Sequence, residues 1–146
     1  MYDKYYTPTI EEFHIGFEYE LFLDSADIGF QWNKMDMDTS ELLPLSNIEE
    51  LLERHKVRVK YLDIDDLNEI GFKHIGGKLL RDVGQLFVFN NGRYFVHVNY
   101  TRFSDRCVLK IETSVFENSV RTLVVHSIGI KNKSELLKLM AQLNIL

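Results

Sequence analysis

The sequence predicts an α+β fold: an antiparallel β-sheet of about six to eight strands with three short helices, the C-terminal helix packed on the sheet. Three observations predict this class. Several segments alternate apolar and polar residues with a period of two, which is typical of strands with one buried face. Asn91-Gly92 separates two such segments and indicates a tight hairpin turn. The last segment repeats apolar residues at helical spacing, at Leu136, Leu137, Met140 and Leu143.

The composition predicts one globular domain over residues 1–146. Hydrophobic residues make up 45% of the chain and charged residues 27%, and ten Phe and seven Tyr can supply a core. The single cysteine, Cys107, cannot form an intrachain disulfide, which favours a reducing compartment. No apolar run is long enough to span a bilayer, and the N-terminus lacks the pattern of a signal peptide. We therefore expect a cytoplasmic protein without a membrane partner.

The first half of the chain predicts two strands, a helix, a strand and a helix. The first strand covers residues 13–21, with its odd-numbered residues inward and with His14, Glu18 and Glu20 outward. The remaining elements are a weaker strand at 30–37, a helix at 47–55, a half-exposed strand at 56–62 and a helix that Asp63 caps and Gly71 ends.

The second half predicts a run of strands followed by the final helix. The strands cover residues 72–80, 86–89, 94–100, 107–116 and 120–128, and the helix begins at Ser134. The hairpin at 86–100 is predicted to turn in a type I′ conformation at Asn91-Gly92. It is apolar on both faces, which favours a central position in the sheet, covered on both sides.

One polar cluster is a candidate metal or acid–base site. His14, Glu18 and Glu20 share the outward face of the first predicted strand, and an imidazole with two carboxylates can ligate a divalent cation. His97 would join them if its strand lies nearby. The alternative is an ordinary solvated strand face, because half of an amphipathic strand is polar in any case. Neither a metal nor a cofactor is predicted.

A second candidate is a surface for nucleotides or single-stranded nucleic acid. Arg93, Arg102 and Arg106 alternate with aromatic residues, and such sheets stack bases on aromatics while arginines contact phosphates. The net charge of −5 opposes this interpretation. The alternative assigns the aromatics to the core and the arginines to its rim.

Catalytic signatures are missing from the sequence. It contains no nucleophile-elbow, zinc-protease or dinucleotide-binding motif, so whether the chain is an enzyme stays open. The carboxylates of Asp63, Asp65 and Asp66 are explained by helix capping better than by a calcium loop. Residues 1–66 hold 16 acidic and 6 basic residues, whereas residues 67–146 hold 6 acidic and 11 basic ones. This asymmetry either marks an acidic partner-binding face or is neutralised within the fold.

Three segments carry a resemblance: Tyr6 to Phe13, Tyr61 to Lys78, and Ile130 to Leu139. They resemble uncharacterised small proteins of Bacteroidetes phages and prophage-like elements. The resemblance implies a phage context, with the host cytoplasm or the virion as location. It implies no activity and no catalytic residues.

Three functions remain as hypotheses. The first is a non-enzymatic phage-type accessory protein that binds a host or phage protein, in host take-over, anti-defence or as a minor virion component. The second is a binder of nucleotide or single-stranded nucleic acid through Arg93, Arg102 and Arg106. The third is a metal-dependent hydrolase that uses His14, Glu18 and Glu20. The sequence does not indicate the oligomeric state.

Overall fold

The computed structural model describes residues 4–27, 29–37, 45–76, 85–92, 94–100, 107–113, 122–124 and 129–146. These residues form antiparallel sheets and three α-helices, which confirms the predicted α+β class. The chain divides into two compact units, Met1–Tyr61 and Leu62–Leu146, and the strands divide between two sheets, one in each unit. A single domain over residues 1–146 stays a prediction.

The described residues of the first unit form a four-stranded sheet and one α-helix. Its elements are β1 (Tyr5–Tyr6), a 3-10 turn (Ile10–Glu12), β2 (Glu18–Ser25), β3 (Gly29–Asp36), α1 (Leu45–Glu53) and β4 (Val57–Lys60). The strands lie in the order β1-β4-β2-β3, so β3 forms one edge of the sheet.

One face of this sheet forms the core of the first unit. Val57 and Val59 alternate along β4 and are 2% and 3% exposed, as the basic–apolar alternation of residues 56–62 predicts. On α1, Ile48 is buried and Leu51 and Leu52 pack beside it, so one apolar stripe of that helix lies in this core.

The prediction of a strand over 13–21 is wrong in its first half. Gly16 has φ +82°, a conformation that glycine adopts at little cost, and Phe17 N donates to His14 O at 2.9 Å in the same turn. Ile15 is therefore 65% exposed. Phe13 still contacts Phe17, with ring centroids 4.9 Å apart, because both rings pack on the core from outside the strand.

In the part of the second unit that the structure describes, there are a six-stranded sheet and two α-helices. Its elements are α2 (Ile64–Ile70), β5 (Lys73–Gly76), β6 (Gln85–Asn90), β7 (Tyr94–Tyr100), β8 (Cys107–Thr113), β9 (Thr122–Val124), β10 (Gly129–Ile130) and α3 (Lys133–Gln142). The strand order is β10-β8-β7-β6-β5, and β9 also pairs with β8. The sequence predicts longer strands at 72–80, 107–116 and 120–128. Phe72 is described and precedes β5, whereas the other remaining residues lie outside the described ranges.

The C-terminal helix packs on this sheet, as predicted. Leu136 and Met140 are fully buried and share one cluster with Phe87, Val96 and Val98 of the central hairpin. The helix begins one residue before Ser134, because Asn132 is its N-cap and its Oδ1 accepts from Glu135 N at 2.8 Å. In the described ranges, no helix combines the length and apolar character needed to cross a membrane.

The hairpin between β6 and β7 exists, but its turn differs from the predicted type I′. Gly92 has φ +89°, whereas Asn91 does not adopt a positive φ. The side chain of Asn91 instead ties the turn together: its Oδ1 accepts from Tyr94 N at 2.9 Å, and its Nδ2 donates to Ile145 O at 2.6 Å. Asn91 is thus held by side-chain hydrogen bonds, one of them to the C-terminal residues, rather than by a left-handed backbone conformation.

Both ends of α2 lie at the residues that the sequence predicts. Asp63 Oδ1 accepts from Asp66 N at 3.0 Å, and Asp66 Oδ2 accepts from Asp63 N at 3.1 Å, which is a reciprocal capping box. Gly71 ends the helix with φ +108°. These bonds assign both carboxylates to the helix terminus.

We expect Asp63→Ala to lower the free energy of unfolding by about 1 kcal/mol, because it leaves first-turn amides of α2 unsatisfied. Asp65→Ala is the matched control, since Asp65 is an exposed acid in the same turn that does not cap the helix. Urea denaturation followed by far-UV circular dichroism measures both changes. Equal losses in the two variants would contradict the capping role.

Candidate functional site

The solvent side of the first sheet carries a row of aromatic side chains. Residues of β2, β3 and β4 alternate between the core and this opposite side, so Glu20, Phe22, Trp32 and Arg58 share one face. Tyr5 of β1 joins them through its contact with Arg58. We call this surface the aromatic face. Its members are Tyr5, Glu18, Glu20, Phe22, Asp24, Phe30, Trp32, Lys34, Asp36, Lys56 and Arg58.

Arg58 lies at the centre of the aromatic face. Its guanidinium carbon is 3.8 Å from the ring centroid of Tyr5 and 4.1 Å from that of Trp32, so the cation lies against two aromatic rings. Arg58 Nε donates to Glu20 Oε2, and Tyr5 Oη donates to Glu20 Oε1 at 3.4 Å. Both charged side chains are about three-quarters buried, with exposures of 27% and 26%. The cluster therefore packs Trp32 and Tyr5 against one shared cation.

The row of aromatics continues across the sheet from Trp32. Phe22 meets Trp32 edge-on with centroids 5.3 Å apart, and Phe30 stacks on Phe22 at 6.0 Å. The ammonium of Lys56 sits 4.3 Å from the Phe22 centroid. Phe30 is 75% exposed. The row thus runs without a gap from a half-buried tyrosine to a phenylalanine that is three-quarters exposed.

An open cleft adjoins this row on the β1 side. Its volume is about 400 Å³. Its lining side chains are mostly aromatic or basic, namely Tyr5, Tyr6, Thr7, Trp32, His55, Val57, Arg58 and Tyr61. A cleft of this size accommodates one large side chain of a partner.

Acidic residues flank the aromatic face at both ends of β2 and β3. Glu18 lies opposite Asp36 at one end, and Asp24 lies opposite Phe30 at the other. Lys34 Nζ is 3.5 Å from Glu18 Oε2, a pair that is largely exposed.

Away from this surface, hydrogen bonds from its own backbone amide and from the Thr9 side chain hold the pKa of Glu11 below its ordinary value.

We expect Arg58→Lys to lower the free energy of unfolding of the first unit by about 1 kcal/mol. Lysine keeps the charge, but it lacks the planar guanidinium that contacts Tyr5 and Trp32. Trp32 is the only tryptophan of the chain, so its fluorescence in a urea titration reports on this unit. The control is Arg54→Lys, which alters an exposed ion pair with Glu50 and should change the free energy by less than about 0.5 kcal/mol. A similar change in the two variants would show that stacking contributes nothing.

The structure separates His14 from the two carboxylates predicted to accompany it. His14 lies in the turn before β2, and its Nδ1 is 2.8 Å from Glu12 O. Glu18 and Glu20 do share a face of β2, but they pair with Lys34 and Arg58. Across the described ranges, no three His, Cys, Asp or Glu side chains lie together as metal ligands would. The prediction that His14 shares their strand face is wrong, because the Gly16 turn precedes the strand.

His97 and the three predicted arginines belong to the second unit. His97 pairs with Val88 across β6 and β7, so it lies on the face of that hairpin opposite the core. Arg93, Arg102 and Arg106 lie outside the described residues, and their role in ligand binding stays a prediction.

The aromatic face was missed at the sequence level, although part of its signal is present. Phe30, Trp32 and Lys34 alternate along one strand, as do Lys56 and Arg58 along another. The sequence does not show that these strands share a sheet through β2, because that pairing joins residues far apart in the chain.

Comparison of the chain with protein-family models, with curated proteins and with solved structures finds no match. The interpretation of the aromatic face therefore depends on its geometry and charge.

Proposed function

We propose that this chain is a non-enzymatic protein-binding protein and that the aromatic face is its binding surface. The observation that carries the proposal is the continuous row of Tyr5, Arg58, Trp32, Phe22 and Phe30 on the solvent side of the sheet. Tryptophan, tyrosine and arginine are the residues that most often dominate binding energy at protein interfaces. An exposed phenylalanine beside them costs solubility unless a partner covers it.

The charge of the first unit favours a particular kind of partner. Residues 1–61 hold 13 acidic and 6 basic side chains. On the aromatic face the carboxylates of Glu18, Asp36 and Asp24 stand at the ends of the strands, around the aromatic centre. The complementary surface is an apolar patch bordered by basic residues. Such complementarity speeds association and makes its rate fall with added salt.

The proposal also includes a biological setting, which is that of a phage or prophage-like element. The resemblance of three segments to phage and prophage-like proteins supports a role in host take-over or anti-defence, or as a minor virion component. The partner is then a host or phage protein, met in the host cytoplasm or in the virion. The absence of familiar catalytic motifs from the sequence fits a protein that acts by binding.

We expect Phe30→Ser to abolish capture of the partner from a Bacteroidetes host lysate, because Phe30 is the most accessible aromatic of the face. The matched control is Ile75→Ser, which removes an apolar side chain that is 58% exposed in the second unit. Capture is quantified by mass spectrometry against the wild-type protein. Retention of the same partner by Phe30→Ser, or its loss from both variants, would place the binding surface elsewhere.

Single-stranded nucleic acid is a second candidate ligand. Aromatic rings lie beside Lys56 and Arg58 on an antiparallel sheet. Sheets of this kind stack bases on the rings and contact phosphates with the cations. Against it, Arg58 is already paired with Glu20, and the surplus of carboxylates repels phosphates. We therefore expect no change in the anisotropy of a labelled oligothymidine at low salt. Salt-sensitive binding that weakens in Trp32→Ala would favour nucleic acid over protein.

A further inference from the structure

On its outer side, β3 has no neighbouring strand among the described residues of the first unit. Among the described residues, the only strand that pairs with β3 is β2, and the register runs without a shift from Glu18 opposite Asp36 to Ser25 opposite Gly29. β3 is 8 residues long and contains neither proline nor bulge. Long, regular edge strands of this kind are templates for pairing with another chain.

The hydrogen-bonding direction along β3 follows from the bonds of β2. Phe22 N donates to Lys56 O at 2.8 Å, so the backbone of Phe22 faces β4. In an antiparallel ladder the residues alternate, so the pair of Phe22 and Trp32 exchanges no bond between β2 and β3. The amides and carbonyls of Phe30, Trp32 and Lys34 therefore point away from β2, toward the open edge.

The edge lacks most of the usual protection against pairing. A lysine on an edge strand normally discourages association. Here the ammonium of Lys34 is drawn toward Glu18 on the neighbouring strand. Lys34 and Asp36 leave β3 without net charge, so two copies of the strand do not repel each other.

We propose that β3 pairs with β3 of a second copy of this chain, antiparallel and about a two-fold axis at Asn33. Only pairings that set outward-facing residues opposite one another complete the ladder. With the axis at Asn33, Phe30 to Asp36 pair along their whole length, and Lys34 of one copy lies opposite Trp32 of the other. Moving the axis to Lys34 places the two ammonium groups opposite each other, which is unfavourable. An axis at Trp32 pairs only three of the four outward-facing residues of β3 and leaves Asp36 without a partner on the strand, so the axis at Asn33 gives the most complete ladder.

Pairing of this kind joins two four-stranded sheets into one sheet. The two aromatic faces then lie on the same side and meet at Trp32, because Trp32 and Lys34 project to that side in both copies. The dimer presents a surface twice as large as that of the single chain. This inference goes beyond the proposed function and does not depend on it.

The test compares Lys34→Pro with Lys34→Ala by sedimentation equilibrium. Both variants remove the ion pair with Glu18, but only proline removes the outward N–H, and it leaves the bonds to β2 in place. One strand pair buries little area, so we expect a wild-type Kd on the order of tens of micromolar. We expect Lys34→Ala to stay within about threefold of the wild-type Kd and Lys34→Pro to weaken dimerisation at least about tenfold, since each dimer loses two ladder bonds.

Amide hydrogen exchange of the wild-type protein supplies a test that needs no variant. The amides of Trp32 and Lys34 are expected to exchange more slowly above the Kd than below it. The amide of Asn33, which faces β2, is expected to be protected at both concentrations. A protein that stays monomeric at a few hundred micromolar, on the order of ten times the expected Kd, overturns the proposal. Equal dimerisation of the proline and alanine variants, or exchange of Trp32 and Lys34 that does not depend on concentration, overturns it as well.

Discussion

Trp32→Ala is expected to weaken partner binding by a factor of about 30 or more, which corresponds to at least about 2 kcal/mol. Trp32 contributes to the aromatic face in three ways. It stacks on Arg58, it meets Phe22 edge-on, and it lines the cleft beside β1. Alanine removes the anchor from the middle of the row and widens the cleft at the same time. Isothermal titration calorimetry with the purified partner measures the change in Kd.

Two further variants separate the surface from the fold. Phe95→Ala is the matched control, because Phe95 is a half-buried aromatic on the opposite face from the core in the second unit. It should leave the Kd within about twofold of wild type. Trp32→Phe retains a ring and should lose less affinity than Trp32→Ala. If Phe95→Ala weakens binding as much as Trp32→Ala, the aromatic face is not the main contact.

Phe87→Ala is expected to lower the free energy of unfolding of the second unit by about 3–5 kcal/mol, the largest effect on stability that we predict. Phe87 is 1% exposed and shares a cluster with Val98 and with Leu136 and Met140 of α3. Its ring also lies 5.2 Å from that of His74. Removing the ring leaves an apolar cavity in this cluster, which costs stability because the surrounding side chains close it only partly. Urea denaturation followed by far-UV circular dichroism gives the free energy.

Phe95→Ala is also the control for the effect of Phe87→Ala on the free energy of unfolding. Phe95 lies one strand away from Phe87 but projects to the opposite face, where it is only half-buried. We expect Phe95→Ala to lower the free energy of unfolding by less than about 1.5 kcal/mol, since much of its surface already contacts water. Similar losses for Phe87→Ala and Phe95→Ala would mean that the two faces of the hairpin are equally buried, contrary to the structure.

Local signals predicted the second unit well. The capping residue Asp63 and the left-handed Gly71 bound α2 as expected, and the spacing of Leu136 and Met140 gave the buried stripe of α3. These features depend on residues within one or two turns of the chain, where capping and periodicity act directly. The period of two along β6 and β7 also places Phe87 on the core face and His97 on the opposite face.

Features that depend on distant residues were not predictable. The period of two that includes Phe13 and Phe17 indicates a strand. Gly16 instead turns the chain, and both rings pack on the core from outside the strand. Likewise, nothing local places Arg58 between Tyr5 and Trp32, since β4 must first pair with both β1 and β2. The candidate site is a product of sheet order, which a single sequence encodes weakly.

The fluorescence of Trp32 during titration with the purified partner tests the central claim most directly. Trp32 is the only tryptophan of the chain, and it lies within the aromatic face, so its emission reports on that surface. Where the partner contains tryptophan, the fluorescence of the partner alone is subtracted. We predict a blue shift that saturates with the same Kd as calorimetry, because the partner excludes water from the indole. Binding that calorimetry detects while the emission of Trp32 stays unchanged would contradict the account.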